Sequence, residues 1–233
     1  MWIRARFAIG LLISGLLVSG LALAHIPQAS WLLNRMAHTR GKMGLRRLKV
    51  ELRCGPDDQT ETLLLKVAGK VRREYADGRV DICNEGRCRR LEKDGSVSNL
   101  PAWTYLQYAF FADGNTSSEQ FGRLLRRMGV DLKRSTMSRL SSRVAFVLGA
   151  KEWERDRPQF WLDKDLFLPV RLMVREGNTL MDISWRNWGS RAAGDWFPGE
   201  LQVKRDSQLI TRCETTDVQA NPKLSDTLFS LPK

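Results

Sequence analysis

Leu48-Lys49-Val50-Glu51-Leu52-Arg53-Cys54 alternates apolar and charged side chains without a break. A period of two places Leu48, Val50, Leu52 and Cys54 on one side of an extended strand and Lys49, Glu51 and Arg53 on the other, the pattern of a sheet with one dry face and one wet face. The pattern continues downstream. After the turn-forming Gly55-Pro56-Asp57-Asp58 come Leu63, Leu65 and Val67, and Gly69-Lys70 leads into Val71 and Tyr75, interleaved with charge. Asp77-Gly78 is a tight hairpin signal ahead of Val80 and Ile82, and Asp94-Gly95 closes the next strand. This spacing predicts an antiparallel meander.

Strand signals resume at 143–148, with Val144, Phe146 and Leu148 on one face. Segments 159–162 and 170–174 flank the turn Asp163-Lys164-Asp165, and then come Met181, Ile183 and Trp185, Leu201 and Val203, and Leu209, Thr211 and Cys213. Turns at Glu176-Gly177-Asn178, Gly194-Asp195 and Asp206-Ser207 separate them at the short, regular intervals of an up-and-down sheet of about ten strands. Two segments read as helix. Residues 29–39 carry Trp31, Leu32, Arg35 and Met36 at helical spacing before Gly41 and Gly44. Residues 101–129 interrupt the strands with Trp103, Tyr105, Tyr108, Phe110 and Phe111, followed by the helix start Ser117-Ser118-Glu119-Gln120 and by Phe121, Leu124, Leu125 and Met128. The expected fold is mainly β: one large curved antiparallel sheet with a few helices, in a single domain over residues 25–233.

The N-terminus points to export. Arg4 and Arg6 precede an uncharged run from Phe7 to Leu23 that closes on Ala22-Leu23-Ala24, the arrangement of a secretory signal peptide over residues 1–24 with cleavage after Ala24 and His25 as the first mature residue. An uncleaved anchor is the alternative, since 17 apolar residues lie near the lower limit for spanning a bilayer. Four cysteines, Cys54, Cys83, Cys88 and Cys213, in an exported chain suggest disulfides. Four cysteines allow three connectivities; residues 83–88 read as a hairpin with 84–87 as its turn, which favours Cys83 with Cys88 and, with it, Cys54 with Cys213. A zinc site is the weaker alternative, because His25 and His38 lie far from any Cys-x-x-Cys spacing. The formal net charge of +12 is spread over pairs such as Arg46/Arg47, Arg72/Arg73, Arg89/Arg90 and Arg126/Arg127. Outside the cytoplasm that charge suits either transient contact with anionic lipid head groups or solubility alone. No nucleic-acid motif is present.

The chemistry of an enzyme is not legible. There is no G-x-S-x-G, Walker loop or H-E-x-x-H, and two histidines support no Ser-His-Asp arrangement. The carboxylate pairs Asp163/Asp165 and Glu152/Glu154 read as solvated surface. No catalytic residue, metal or cofactor is expected. Large apolar rings are abundant instead, with eight Trp and nine Phe, and Trp103, Trp153, Trp161, Trp185, Trp188 and Trp196 fall in or beside the predicted strands. A curved sheet with this content either fills its concavity or leaves a cavity. Composition does not separate the two.

Four stretches, in order, resemble the LolA/LolB-type periplasmic lipoprotein carriers. They are Leu65 to Tyr75; Pro158 to Leu172, where a strand turns at an Asp-containing tip and returns through Leu168-Pro169; Asp182 to Trp188 with Gly194-Asp195-Trp196-Phe197-Pro198; and Asn221-Pro222 through Leu228-Phe229 to Leu231-Pro232. The resemblance implies a half-open antiparallel β-barrel with helices across its mouth. It also implies binding of lipoprotein acyl chains or phospholipid on the concave apolar face. The alternating positions then assign Leu48, Val50, Leu52, Leu65, Val144, Phe146, Leu148, Leu172, Ile183, Trp185, Leu201 and Val203 to that face, and Trp103, Tyr105, Phe110, Phe121, Leu124 and Leu125 to a lid. The four cysteines are not part of the usual carrier pattern. A second function class stays open: an envelope scaffold or stress sensor that uses the same fold to bind an envelope protein.

Overall fold

The computed structural model describes residues 26–232, except 68, 85, 102, 113–117, 152 and 155. The leader with its cleavage site, His25 and Glu152 lie outside the described residues. Among those described, no helix is long and apolar enough to cross a membrane.

The strands are β1 (Arg47–Cys54), β2 (Gln59–Lys66), β3 (Lys70–Glu74), β4 (Val80–Asn84), β5 (Arg87–Leu91), β6 (Val97–Asn99), β7 (Ser135–Leu140), β8 (Arg143–Leu148), β9 (Gln159–Asp163), β10 (Pro169–Glu176), β11 (Thr179–Arg186), β12 (Glu200–Arg205) and β13 (Gln208–Ala220). They form one sheet in the order β6-β5-β4-β3-β2-β1-β13-β12-β11-β10-β9-β8-β7. Neighbours pair antiparallel throughout. Among the described residues the count is thirteen rather than about ten. The unforeseen strands are the two edges: β6 is exposed throughout and β7 reads Ser-Thr-Met-Ser-Arg-Leu, so neither shows apolar alternation.

This order dictates where the helices go. The chain meanders outward from β1 to the edge β6, reappears at the opposite edge β7, and meanders back until β13 pairs with β1. The connection between the two edges carries α2 (Trp103–Ala112) and α3 (Ser118–Arg127). On a curved sheet the short route between opposite edges crosses the concavity. The expected helical stretch 101–129 is therefore two helices, and both pack into the concave core. The first helix, α1 (Ala29–Lys42), joins them by packing against α3. It runs one turn beyond the expected end at Thr39, includes Gly41, and stops where Gly44 takes φ +61°. Basic Arg40 and Lys42 in its last turn suit the negative end of the helix dipole.

Two of the sequence motifs have local physical reasons. The Asp163 carboxylate accepts hydrogen bonds from the N–H groups of Asp165 and Leu166, both at 2.9 Å, and so builds the turn between β9 and β10. Asn221 adopts φ +53°, a conformation asparagine tolerates. Its side chain accepts from the N–H groups of Arg46 and Arg47 and donates to Gly44 O, tying the end of β13 to the start of β1.

Beyond Asn221, the tail lies against β3 and β4 through a 3-10 turn (Asp226–Phe229) that buries Phe229. Arg72 and Arg89 donate to the Leu228 and Pro232 carbonyls. Hydrogen bonds from Lys70 and Lys66 hold the Asp226 carboxyl down at about 2. A folded pKa below the unfolded value gives stability that is present above ordinary carboxylate pKa values and lost as pH falls through the folded one. Protection of the Thr227 to Phe229 amides, taken relative to their intrinsic exchange rate at each pH, is therefore expected to hold from about pH 7 down to about pH 4 and to fall only towards pH 2. Release of the tail between about pH 5 and pH 4 would show that the lysines do not hold it.

Candidate functional site

The concave face is assembled by register. Leu48 sits opposite Leu65, Leu172 opposite Ile183, Ile183 opposite Val203, Trp185 opposite Leu201, and Leu201 opposite Cys213. Eleven of the twelve positions assigned to this face from sequence fall in one continuous buried cluster: Leu48, Val50, Leu52, Leu65, Phe146, Leu148, Leu172, Ile183, Trp185, Leu201 and Val203. Val144 does not. It is half-buried beside the turn between β7 and β8 and lines a separate 320 Å³ cleft with Leu140 and Trp188. Trp161 faces away from the large cluster and packs with Ala145, Val147 and Val170 in a smaller one.

The assigned lid residues lie over this floor. Tyr105, Phe110, Phe121 and Leu125 are buried in the large cluster, and Trp103 and Leu124 are half-buried against it. Phe110 is the wedge. Its ring stacks on Phe160 at 4.7 Å and on Phe121 at 5.6 Å and meets Trp185 edge-on at 5.6 Å. Phe111 packs on Phe197 at 4.9 Å. The Trp185 indole N–H donates to Gln107 O of α2 at 3.1 Å. In this closed arrangement the two helices occupy the concavity.

One end of the concave face is charged, a feature the sequence reading missed. Period two splits the arginine pairs that were expected on a solvated face. Arg72 points to the tail, while Arg73 points inward at 6% exposure. Arg89 likewise bonds the tail and Arg90 turns to Asp81. Cross-strand register lines up Leu63, Arg73, Asp81 and Arg90 on four adjacent strands. Arg73 pairs with buried Glu61 at 2.6 Å, donates to the Tyr108 hydroxyl of α2 at 3.1 Å, and lies 3.6 Å from both sulfurs of Cys54 and Cys213. Arg73, Arg79 and Arg90 surround the Tyr75 ring at 4.7, 5.0 and 5.2 Å, and the Tyr75 hydroxyl donates to Asp81 at 2.6 Å. Burial alone would lower the Arg73 pKa, but Tyr108, Tyr75 and Glu61 outweigh it, so the guanidinium stays charged. Burial pushes the Tyr108 hydroxyl up to about 12 against the pull of Arg73, which leaves it a neutral acceptor. The signal that could have found them is parity, since Arg73 alternates with Val71 and Tyr75, and Arg90 with Cys88. What sequence could not supply was their partners.

This charged end opens as a cleft of 540 Å³ between the β1–β2 turn, the β12–β13 hairpin and the first turns of α2. Cys54, Glu61 and Cys213 cluster closely enough to suggest a metal site. Their sulfurs, however, are bonded to each other, as are those of Cys83 and Cys88, so no thiolate pair is left to hold an ion. Both disulfides fit an oxidising compartment.

An open, curved antiparallel sheet with helices laid across its concave face is the fold of the LolA superfamily. The chain is similar to a LolA superfamily protein from Nitrosomonas europaea, with TM-score 0.52 and 14% identity over 88% of this chain and 99% of that one. It is also similar to an outer membrane lipoprotein-sorting protein domain from Vibrio parahaemolyticus (TM-score 0.51, 13% identity, 83% and 94% covered). A DUF1329 family protein from Desulfovibrio piger compares equally well (TM-score 0.53, 14% identity, 88% and 98% covered). No family model matches the sequence, and no curated protein matches it.

Proposed function

We propose that the protein is an exported, non-enzymatic periplasmic carrier that binds acyl chains of lipoproteins or lipids on the concave face of the sheet. One observation carries this reading. A continuous apolar floor is roofed by two helices that belong to the edge-to-edge connection, so the roof can leave without breaking a strand pair. The leader, the disulfides and the shared fold with a lipoprotein-sorting domain support it. Apolar area suffices for affinity, since each methylene withdrawn from water contributes roughly 0.8 kcal/mol. Release needs a roof whose closed state is only slightly favoured.

The test is displacement of an apolar fluorescent probe from the exported, disulfide-intact protein by a triacylated lipopeptide and by free phospholipid. Saturable displacement is expected, with a change in tryptophan emission as Trp185 loses Gln107 O. Phe110→Leu, which thins the wedge, should raise probe affinity about fourfold, the worth of roughly one further methylene. A folded protein that binds no probe would sink the carrier reading. The filled concavity would then favour the rival, an envelope scaffold or stress sensor with a protein partner.

A further inference from the structure

Two buried polar atoms on α2 have no partner among the described residues: the indole Nε1 of Trp103 and Oε1 of Gln107. The Gln107 Nε2 donates to Thr104 O at 3.1 Å, which fixes the orientation of the amide and leaves its carbonyl oxygen as a bare acceptor. Positions four apart share a helix face, and both residues line the 540 Å³ cleft. Buried polar atoms without partners are rare in folded proteins and call for an explanation. One unmet donor and one unmet acceptor therefore lie just behind the α2 wall of the cleft.

We infer that this cleft takes a stretch of uncharged peptide main chain, which donates an N–H to Gln107 Oε1 and whose carbonyl accepts from the Trp103 Nε1–H. In extended main chain the N–H and the C=O of one residue point to the same side, so a single residue supplies the donor and the acceptor that α2 leaves unmet. Little net charge is left on the walls, because Arg73, Arg79 and Arg90 are paired with Glu61, Asp77 and Asp81, and the other two charged residues lining the cleft, Asp57 and Arg205, are of opposite sign. Leu100, Pro101 and the exposed Ile210 give the rim an apolar character that suits small neutral side chains. Neither polar atom reaches solvent in the closed structure, so the ligand meets them as the first turns of α2 ease off the sheet. The inference rests on the carrier reading for its purpose: acyl chains beneath α2 would be joined to a polypeptide that leaves through the cleft.

The probe is N-acetyl-Ala-Ala-Ala-amide, which has no acyl chain, so its outcome stands apart from that of the lipid test. It is added to exported, disulfide-intact protein carrying 15N-labelled tryptophan, and the Trp103 indole resonance, identified by its loss in Trp103→Phe, is followed. A saturable shift is expected. Gln107→Leu should weaken it about tenfold while raising the thermal midpoint of the free protein, because it removes an unpaired buried acceptor. A Trp103 resonance that the peptide does not move would overturn the inference. So would a shift produced only by glycerophosphoethanolamine, which would make the cleft a lipid head-group site, or a Gln107→Leu variant that binds the peptide as well as the parent does.

Discussion

Arg73→Met is expected to destabilise the protein by about 3–5 kcal/mol at neutral pH, because it strands the Glu61 carboxylate in the core without a counter-charge. The same change removes the hydrogen bond to Tyr108 that ties α2 to the sheet. Most of the loss comes from the abandoned charge rather than from the missing bond. A carboxylate buried alone has its pKa raised, and its penalty disappears once it takes up a proton, so the deficit of Arg73→Met should shrink as pH is lowered. Adding Glu61→Leu should recover most of the stability, since an apolar pair of similar volume is often as stable as a buried ion pair. Urea unfolding of the four proteins of this cycle measures all three effects. A cost below about 1 kcal/mol for Arg73→Met would mean that water or another cation reaches Glu61, and that the pair does not organise the charged end.

The two disulfides should be very unequal. Cys54 and Cys213 are direct neighbours across the β1–β13 ladder, the seam at which the outgoing and returning halves of the sheet meet. They are 159 residues apart in sequence, whereas Cys83 and Cys88 are 5 apart. If a disulfide acts mainly by restricting the unfolded chain, the long loop is worth about 5 kcal/mol and the short one about 2 kcal/mol. Cys54→Ala with Cys213→Ala should thus cost more than twice as much as Cys83→Ala with Cys88→Ala, measured by denaturant unfolding under non-reducing conditions. Equal costs would show that the unfolded chain already holds the two halves together, or that native packing at the seam decides the outcome.

The legibility of the sequence followed the range of the interactions. Leu48, Val50 and Leu52 announced their face because period two is a local property of extended backbone, and the pairing of Cys83 with Cys88 followed from a hairpin six residues long. The same parity placed Arg73 inward, yet a paired charge read as surface. Its partners come from Glu61 on the neighbouring strand and Tyr108 on a helix 35 positions away, and no local rule selects them. Val144 shows the converse error. It shares parity with Phe146 and Leu148, but the sheet ends beside it, and parity says nothing about where a sheet ends.

Strand periodicity, turn chemistry and cysteine spacing, all set by neighbours within a few residues, determined by themselves that this chain forms a curved antiparallel sheet with one apolar face. Whether that face is open or occupied was decided only by the tertiary structure. The chain leaves the sheet at β6 and re-enters at β7, so its connection must cross the concavity and carry Phe110, Phe111 and Phe121 into it. Filling a volume depends on the closure of the whole chain, and a sequence read through short windows contains no measure of it.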